Sequence, residues 1–199
     1  MKLKITPLFL LLLTLGVIAQ ENHFAAANDV TWNAPGTNEN NSMTLGNGDL
    51  ALNVWTETNG DIVLLLAKSD AWSENGQLLK LGRVRVTLTP NPFIASANFN
   101  QTLKLESGAV QIQNGKNVAR LWVDANHPAI HLEIKTEQPA RLTAKSELWR
   151  TQDYHLNPRA VSQAGFFEWG NNPNGLDFEA DTILPAQNNQ VACCHFNSH

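Results

Sequence analysis

The residues with the most chemistry to offer lie in the run Lys68-Ser69-Asp70-Ala71-Trp72-Ser73-Glu74-Asn75-Gly76-Gln77-Leu78-Leu79-Lys80-Leu81-Gly82-Arg83. The run follows an apolar stretch at 62–67 and gathers carboxylates, an indole, amides and cations in what reads as one long connection. Connections held on a rigid scaffold are where binding residues concentrate. Asp70 and Glu74 are the kind of carboxyl pair that an acid and a base across a glycosidic bond would need. Carboxylates this close in a polar stretch are more commonly solvated or capping groups, so no catalytic role is assigned to them. Trp72 offers a flat apolar face to a sugar ring, against the commoner fate of a tryptophan in a core.

A second motif is Ser42-Met43-Thr44-Leu45-Gly46-Asn47-Gly48-Asp49-Leu50. Glycines on both sides of Asn47 allow positive φ, and the Asn47 and Asp49 side chains can bond neighbouring amides, so a tight turn setting the entry to a strand accounts for it. It is no phosphate loop, because no Lys-Ser/Thr pair and no helix follow. The six histidines are scattered at 23, 127, 131, 155, 195 and 199. His127 and His131 fall in a stretch that alternates as a strand, which would hold them about 13 Å apart at roughly 3.3 Å per residue, too far to share a metal. Cys193, Cys194 and His195 suggest a thiolate or a soft-metal site, but buried strand packing is the usual state of such thiols. No Gly-x-Ser-x-Gly elbow is present. Metal, cofactor and catalytic residue are all read as none.

The elements that must position these residues are strands. Leu50, Leu52 and Val54 alternate with Ala51, Asn53 and Trp55, and Val84, Val86 and Leu88 alternate with Arg83, Arg85 and Thr87. Ile130, Leu132 and Ile134 alternate in the same way with His131, Glu133 and Lys135. Period two of this kind predicts antiparallel strands with one face on a core. Residues 62–67 are apolar on both faces and predict a central, covered strand. Further strands are expected at 102–105, 110–113, 118–123, 141–149 and 191–196. Asn114-Gly115, with Lys116 and Asn117, forms the loop of a hairpin. No stretch of 12 or more residues holds a helical period. The expected fold is all-β, a large antiparallel β-sandwich of supersandwich-like size with a dozen or more strands and little helix.

Composition narrows the function classes. The chain has 199 residues, 43% hydrophobic and only 16% charged, which excludes a disordered polymer. A net charge of −4 excludes capture of nucleic acid through its phosphates. Two adjacent cysteines form no disulfide framework. Residues 1–19 read as a secretory signal, with Lys2 and Lys4 ahead of an apolar run at 8–18 and small residues Val17 and Ala19 at the cut. A cut after Ala27 also fits. The run is shorter than the roughly 20 residues that cross a bilayer, and no membrane association is expected once the leader is gone. Cleavage takes two lysines with it and leaves an acidic, exported protein, secreted or periplasmic. Residues 20–29 are read as a disordered leader and 30–199 as one sandwich domain, incomplete at its C-terminus because the chain stops directly after a strand.

The runs Trp32-Asn33-Ala34-Pro35, 41–55, 68–76 and Lys80-Leu81-Gly82-Arg83-Val84-Arg85-Val86 resemble an N-terminal domain of unknown function, family 5703. That domain is found in secreted bacterial proteins related to the α-L-fucosidases of glycoside hydrolase family ninety-five. The resemblance covers most of the chain from about Val30, and the run 42–86 is its specific part. It implies a non-catalytic β-sandwich whose partner is a following (α/α)6 barrel that holds the catalytic carboxylates and is missing here. The end, Cys193-Cys194-His195-Phe196-Asn197-Ser198, resembles the segment leading toward that barrel, although cysteines and Phe196 replace the aromatic and basic residues expected there. Residues expected near substrate are then Asp70, Trp72, Glu74, Asn47 and His195. The competing expectation is a free-standing carbohydrate-binding module that stacks oligo- or polysaccharide on Trp72, Trp122 or Trp169.

Overall fold

A computed structural model describes residues 24–73, 76, 78–163, 174–187 and 190–196. The alternation read from the sequence becomes two five-stranded antiparallel sheets. The first, called the long sheet, has the order β10 (Arg141–Glu147), β5 (Leu78–Thr89), β4 (Ile62–Trp72), β3 (Leu50–Thr56), β2 (Met43–Gly46). The second has the order β1 (Val30–Trp32), β6 (Phe99–Lys104), β7 (Ala109–Asn114), β8 (Asn117–Val123), β9 (Ile130–Lys135). The chain crosses between the sheets after β1, again between β5 and β6, and returns between β9 and β10.

One apolar core joins the two sheets. Leu52, Val54, Ile62, Leu64, Val86 and Leu88 pack from the long sheet against Phe99, Val110, Ile112, Ala119 and Leu121 from the second, with Phe93 from the β5–β6 connection among them. Apolar side chains at alternate positions supply this layer, which makes the protein a β-sandwich. Inside it, the Thr56 hydroxyl bonds Gln101 Oε1 at 3.0 Å, and Gln101 Nε2 donates to the Val54 carbonyl at 3.3 Å. The buried amide is thus satisfied by the opposite sheet, and register between the sheets is set by hydrogen bonds as well as by fit.

The outer face of the long sheet is also covered near its centre, where Trp55 and Val63 are buried. Beside them Arg85 meets three carboxylates. It holds Glu57 through both terminal nitrogens at 2.6 and 3.1 Å, Asp61 at 3.2 Å and Glu147 at 3.0 Å, and Arg83 binds the other Glu147 oxygen at 2.6 Å. Glu57 is the main reason the guanidinium is held above its ordinary value. Burial pushes the Glu147 carboxyl up, but the hydrogen bonds from Arg85 and Arg83 outweigh it and hold the group below the ordinary glutamate value.

Smaller elements follow the sandwich. β11 (Tyr154–Leu156) pairs with β12 (Leu176–Phe178), and α2 (Pro158–Gln163) closes a small cluster of Val161, Leu176 and Phe178 over them. β13 (Thr182–Gln187) and β14 (Gln190–Cys194) form a separate two-stranded ribbon. Among the described residues there are fourteen strands and two short α-helices, α1 (Phe24–Ala27) and α2.

Three expectations need correction. The connection expected over 68–83 is mostly strand, because β4 continues to Trp72 and β5 begins at Leu78. Residues 24–29, assigned to a disordered leader, contain α1, and Asp29 is tied down by the Leu105 N–H at 2.9 Å and the Lys104 ammonium at 3.0 Å. Cys193 and Cys194 lie on a strand but are not buried packing: Cys193 is exposed and Cys194 half-buried, since a two-stranded ribbon covers neither of its own faces. The Asn114-Gly115 hairpin forms as expected, with Asn114 already paired to Asn117 and Gly115 at φ 61°. Residues 1–19 lie outside the described residues, as do Glu74 and Trp169.

Candidate functional site

A cleft of about 700 Å³ opens where the distal parts of β4 and β5 meet β10 and the β13–β14 ribbon. Leu66, Val84 and Ala144 form its apolar floor, Asp70 and Trp72 stand on one side, and Val191, Cys193 and His195 on the other. Three of the residues expected near substrate, Asp70, Trp72 and His195, therefore line one space. A bulge brings them there. After Ala67, which pairs with Lys80, the next pair is Trp72 with Leu78, so β4 carries several extra residues at 68–71. The extra length follows β3 instead, with Lys68 opposite Leu50 and the Ser69 N–H bonded to the Asp49 carbonyl at 2.9 Å. Trp72 Nε1 donates to the Ser69 carbonyl at 3.0 Å, and the ring remains half exposed.

Among the described residues, the carboxylates and cations of the cleft are engaged in internal pairs. The Lys68 ammonium holds Asp70 at 2.5 Å and Asp49 at 2.9 Å. Asp70 is mostly solvent-exposed, and the Lys68 hydrogen bond holds its carboxyl below the ordinary aspartate value. A general acid near neutral pH needs the opposite shift. Across the cleft, Arg150 grips Asp181 with Nε and a terminal nitrogen, both at 2.9 Å, and donates to the Lys80 carbonyl at 2.6 Å. His195 Nδ1 lies 3.2 Å from the same Asp181 carboxylate, and the three side chains are at most 10% exposed. Asp70 and Asp181 are the only carboxylates among the described lining residues, and both are engaged by cations. Partial desolvation of the Cys193 thiol at the cleft wall, followed by the Asp181 charge, pushes it up although the residue as a whole is exposed, the reverse of what a thiolate nucleophile requires.

Asn47 stands elsewhere. Its Oδ1 accepts the Asp49 and Leu50 N–H groups at 2.9 and 2.8 Å, which closes the β2–β3 turn with Gly48 at φ 92°. Its Nδ2 reaches the other sheet and donates to the carbonyls of Asp124 and His127 at 2.7 and 3.2 Å. The amide is a clasp between the sheets. Asn47→Ala is expected to lose four hydrogen bonds of roughly 1 kcal/mol each, partly replaced by water, and so to cost about 2–3 kcal/mol. At about 2–4 °C per kcal/mol the midpoint of thermal unfolding should fall by roughly 5–10 °C. A fall under about 2 °C in a melting experiment would remove the clasp assignment.

The histidine spacing is corrected as well. His127 lies in the β8–β9 connection and only His131 on β9, and both meet Asp124, at 3.0 and 3.4 Å. The Asn126 backbone N–H, then the His127 ring, lower Asp124 to about 2. Among the described residues no group of three His, Cys, Asp or Glu side chains is placed to hold a metal. Trp122 is stacked on His131 with ring centroids 4.9 Å apart, and the Arg120 guanidinium lies 5.1 Å from the Trp122 centroid, so protein groups take up its π surface. Arg150 and Asp181, the centre of the cleft network, carry no sequence signal: they lie 31 residues apart in no motif.

These features define an all-β sandwich domain with a cleft at one end, organised by internal ion pairs rather than by a poised acid and base. The chain belongs to the DUF5703 family: the DUF5703_N model, described as a domain of unknown function, matches residues 31–199. No curated protein is significantly similar to it.

Proposed function

We propose that this chain is the non-catalytic N-terminal β-sandwich of an exported, glycoside-hydrolase-like protein of carbohydrate degradation. In this reading the cleft end packs on a helical (α/α)6 barrel that carries the catalysis. The observation that carries the proposal is the character of the cleft: among the described residues its two carboxylates are already held by cations, while its surroundings are apolar. Trp72 and Leu78 at the end of the β4–β5 hairpin and Ile183, Val191 and Phe196 on and beside the ribbon are all at least half exposed. Apolar surface concentrated in this way is the mark of a contact face.

Two measurements test the reading. The purified domain should release no product from aryl glycosides, including aryl α-L-fucosides, at any pH between about 4 and 8, the range in which carboxylate pairs work. Turnover that survives repurification would overturn the non-catalytic assignment. At the native locus, a reading frame that runs from this sandwich into several hundred residues of helical repeats supports the docking partner, and a stop codon followed by unrelated sequence overturns it. Export belongs to the same proposal, and mass spectrometry of the exported protein should find a mature N-terminus at Gln20.

A further inference from the structure

The outer face of the long sheet holds a groove that the cleft does not account for. Leu65 and Arg83 are cross-strand partners on β4 and β5, and Trp55 lies two residues along β3 from the Leu65 partner Asn53, so the three share the face turned away from the core. With Trp149, Glu39 and Lys80 they enclose a cavity of about 270 Å³. A second cavity, of about 230 Å³, adjoins it, since Lys80 and Trp149 line both, and extends to Tyr154. Trp149 and Tyr154 are 46% and 39% exposed, so aromatic surface is presented along the groove.

The polar groups of the groove are less committed than those of the cleft, with which it shares Arg83. Trp55 is 2% exposed, and its indole N–H is buried with no hydrogen-bond partner among the described residues. Buried donors are rarely left without a partner, so this one calls for an acceptor from outside the chain. The Lys80 ammonium and the Glu39 carboxylate form no ion pair among the described residues, and Arg83 spends only Nε on Glu147. Three donors thus stand with one acceptor around aromatic walls.

We infer that this groove binds a uronic-acid-containing oligosaccharide, one pyranose ring in each cavity. A pyranose has an apolar C–H face for the Trp149 ring, hydroxyls for Glu39 and the Trp55 N–H, and, when it is a uronate, a carboxylate for Lys80 and Arg83. A neutral sugar leaves Lys80 without a counter-charge and the terminal nitrogens of Arg83 without an anionic acceptor, and a nucleic acid is disfavoured by the acidity of the whole chain. Docking at the cleft end and glycan binding on this face are separate claims, and each can fail without the other.

The test uses the whole chain and trisaccharides of galacturonate, glucuronate and mannuronate at millimolar concentration, with galactose, glucose and mannose trisaccharides as neutral counterparts. Calorimetry should show at least one uronate binding more tightly than its neutral counterpart. Trp149→Ala should weaken that binding at least about tenfold, whereas Trp122→Ala should leave it unchanged. Lys80→Gln should abolish the preference for the acidic sugar. In ¹H–¹⁵N spectra the indole resonance that disappears in Trp55→Phe should shift on addition of the uronate. Absence of binding by all three uronates, equal affinity for neutral and acidic sugars, or full affinity in a folded Trp149→Ala protein would each overturn the inference.

Discussion

Asp181→Ala is expected to destabilise the cleft end by about 3–5 kcal/mol, because it leaves a buried guanidinium without its counter-charge. Asp181 is 4% exposed and carries both Arg150, at 2.9 Å through two nitrogens, and His195, at 3.2 Å. The two backbones are linked as well, the Asp181 N–H bonding the Arg150 carbonyl at 2.8 Å, so this carboxylate ties the β10–β11 connection to the start of the ribbon. Asp181→Asn keeps an acceptor and should lose less than the alanine variant. Two readouts separate global from local effects. If the network supports the whole fold, thermal unfolding shifts by about 6–20 °C at roughly 2–4 °C per kcal/mol. If it latches the ribbon alone, the melting point holds and the half-buried Cys194 thiol becomes more reactive toward a thiol reagent. A folded variant that shows neither change would mean that the network does not stabilise the cleft end.

The second large effect is expected at Arg85. Arg85→Ala sets Glu57, Asp61 and Glu147 facing one another with only Arg83 to compensate. A fully buried case would lose 3–5 kcal/mol, and partial exposure of these side chains brings the expectation to about 2–4 kcal/mol. Arg85→Lys keeps the charge without the planar fork that holds both Glu57 oxygens, and should fall between. The pH dependence has a definite sign. Glu147 is held below its ordinary value of 4.5 in the folded state, so its contribution is fully present above that pH and is lost as the pH falls through the folded value. The gap in unfolding free energy between the native chain and Arg85→Ala should therefore be constant from pH 7 to about 5 and shrink below about 4.5 as Glu147 protonates. Denaturant titrations at pH 7, 5 and 3.5 measure it. A gap under about 1 kcal/mol at pH 7, or one unchanged at pH 3.5, would contradict the network's assigned role.

Much of the architecture was legible because strand alternation is a local property. The stretch 62–67, apolar on both faces, is the first half of the central strand β4, with Ile62, Val63 and Leu64 buried. The Asn114-Gly115 turn, the strands at 110–113 and 118–123, and the alternation of half-buried and exposed side chains along β9 follow the same rule. The pattern failed where polar residues continue a strand. Lys68, Ser69 and Asp70 look like the start of a loop, yet they extend β4, because a bulge lets them pair with Asp49 and Leu50 instead of β5. It failed again at Cys193 and Cys194, where a strand was foreseen correctly but its burial depended on a neighbouring sheet that a two-stranded ribbon lacks.

The site was less legible than the fold. Asp70, Trp72 and His195 were singled out and do share the cleft, but the sequence placed Asn47 with them, whereas its amide spans the two sheets to Asp124 and His127, 77 and 80 residues away. Trp55 and Trp149 read only as strand residues, since a tryptophan at an alternating position and another at a strand end look alike whether they face a core or a groove. The sequence by itself determined the class of secondary structure, the face each side chain takes and the position of the glycine turns, because these depend on neighbours within a few residues. Tertiary structure alone decided which charges meet. Lys68 with Asp49, Arg85 with three carboxylates and Arg150 with Asp181 are pairs set by sheet register and sandwich packing. A period of two tells which way a side chain points, and only the folded chain tells what stands opposite it.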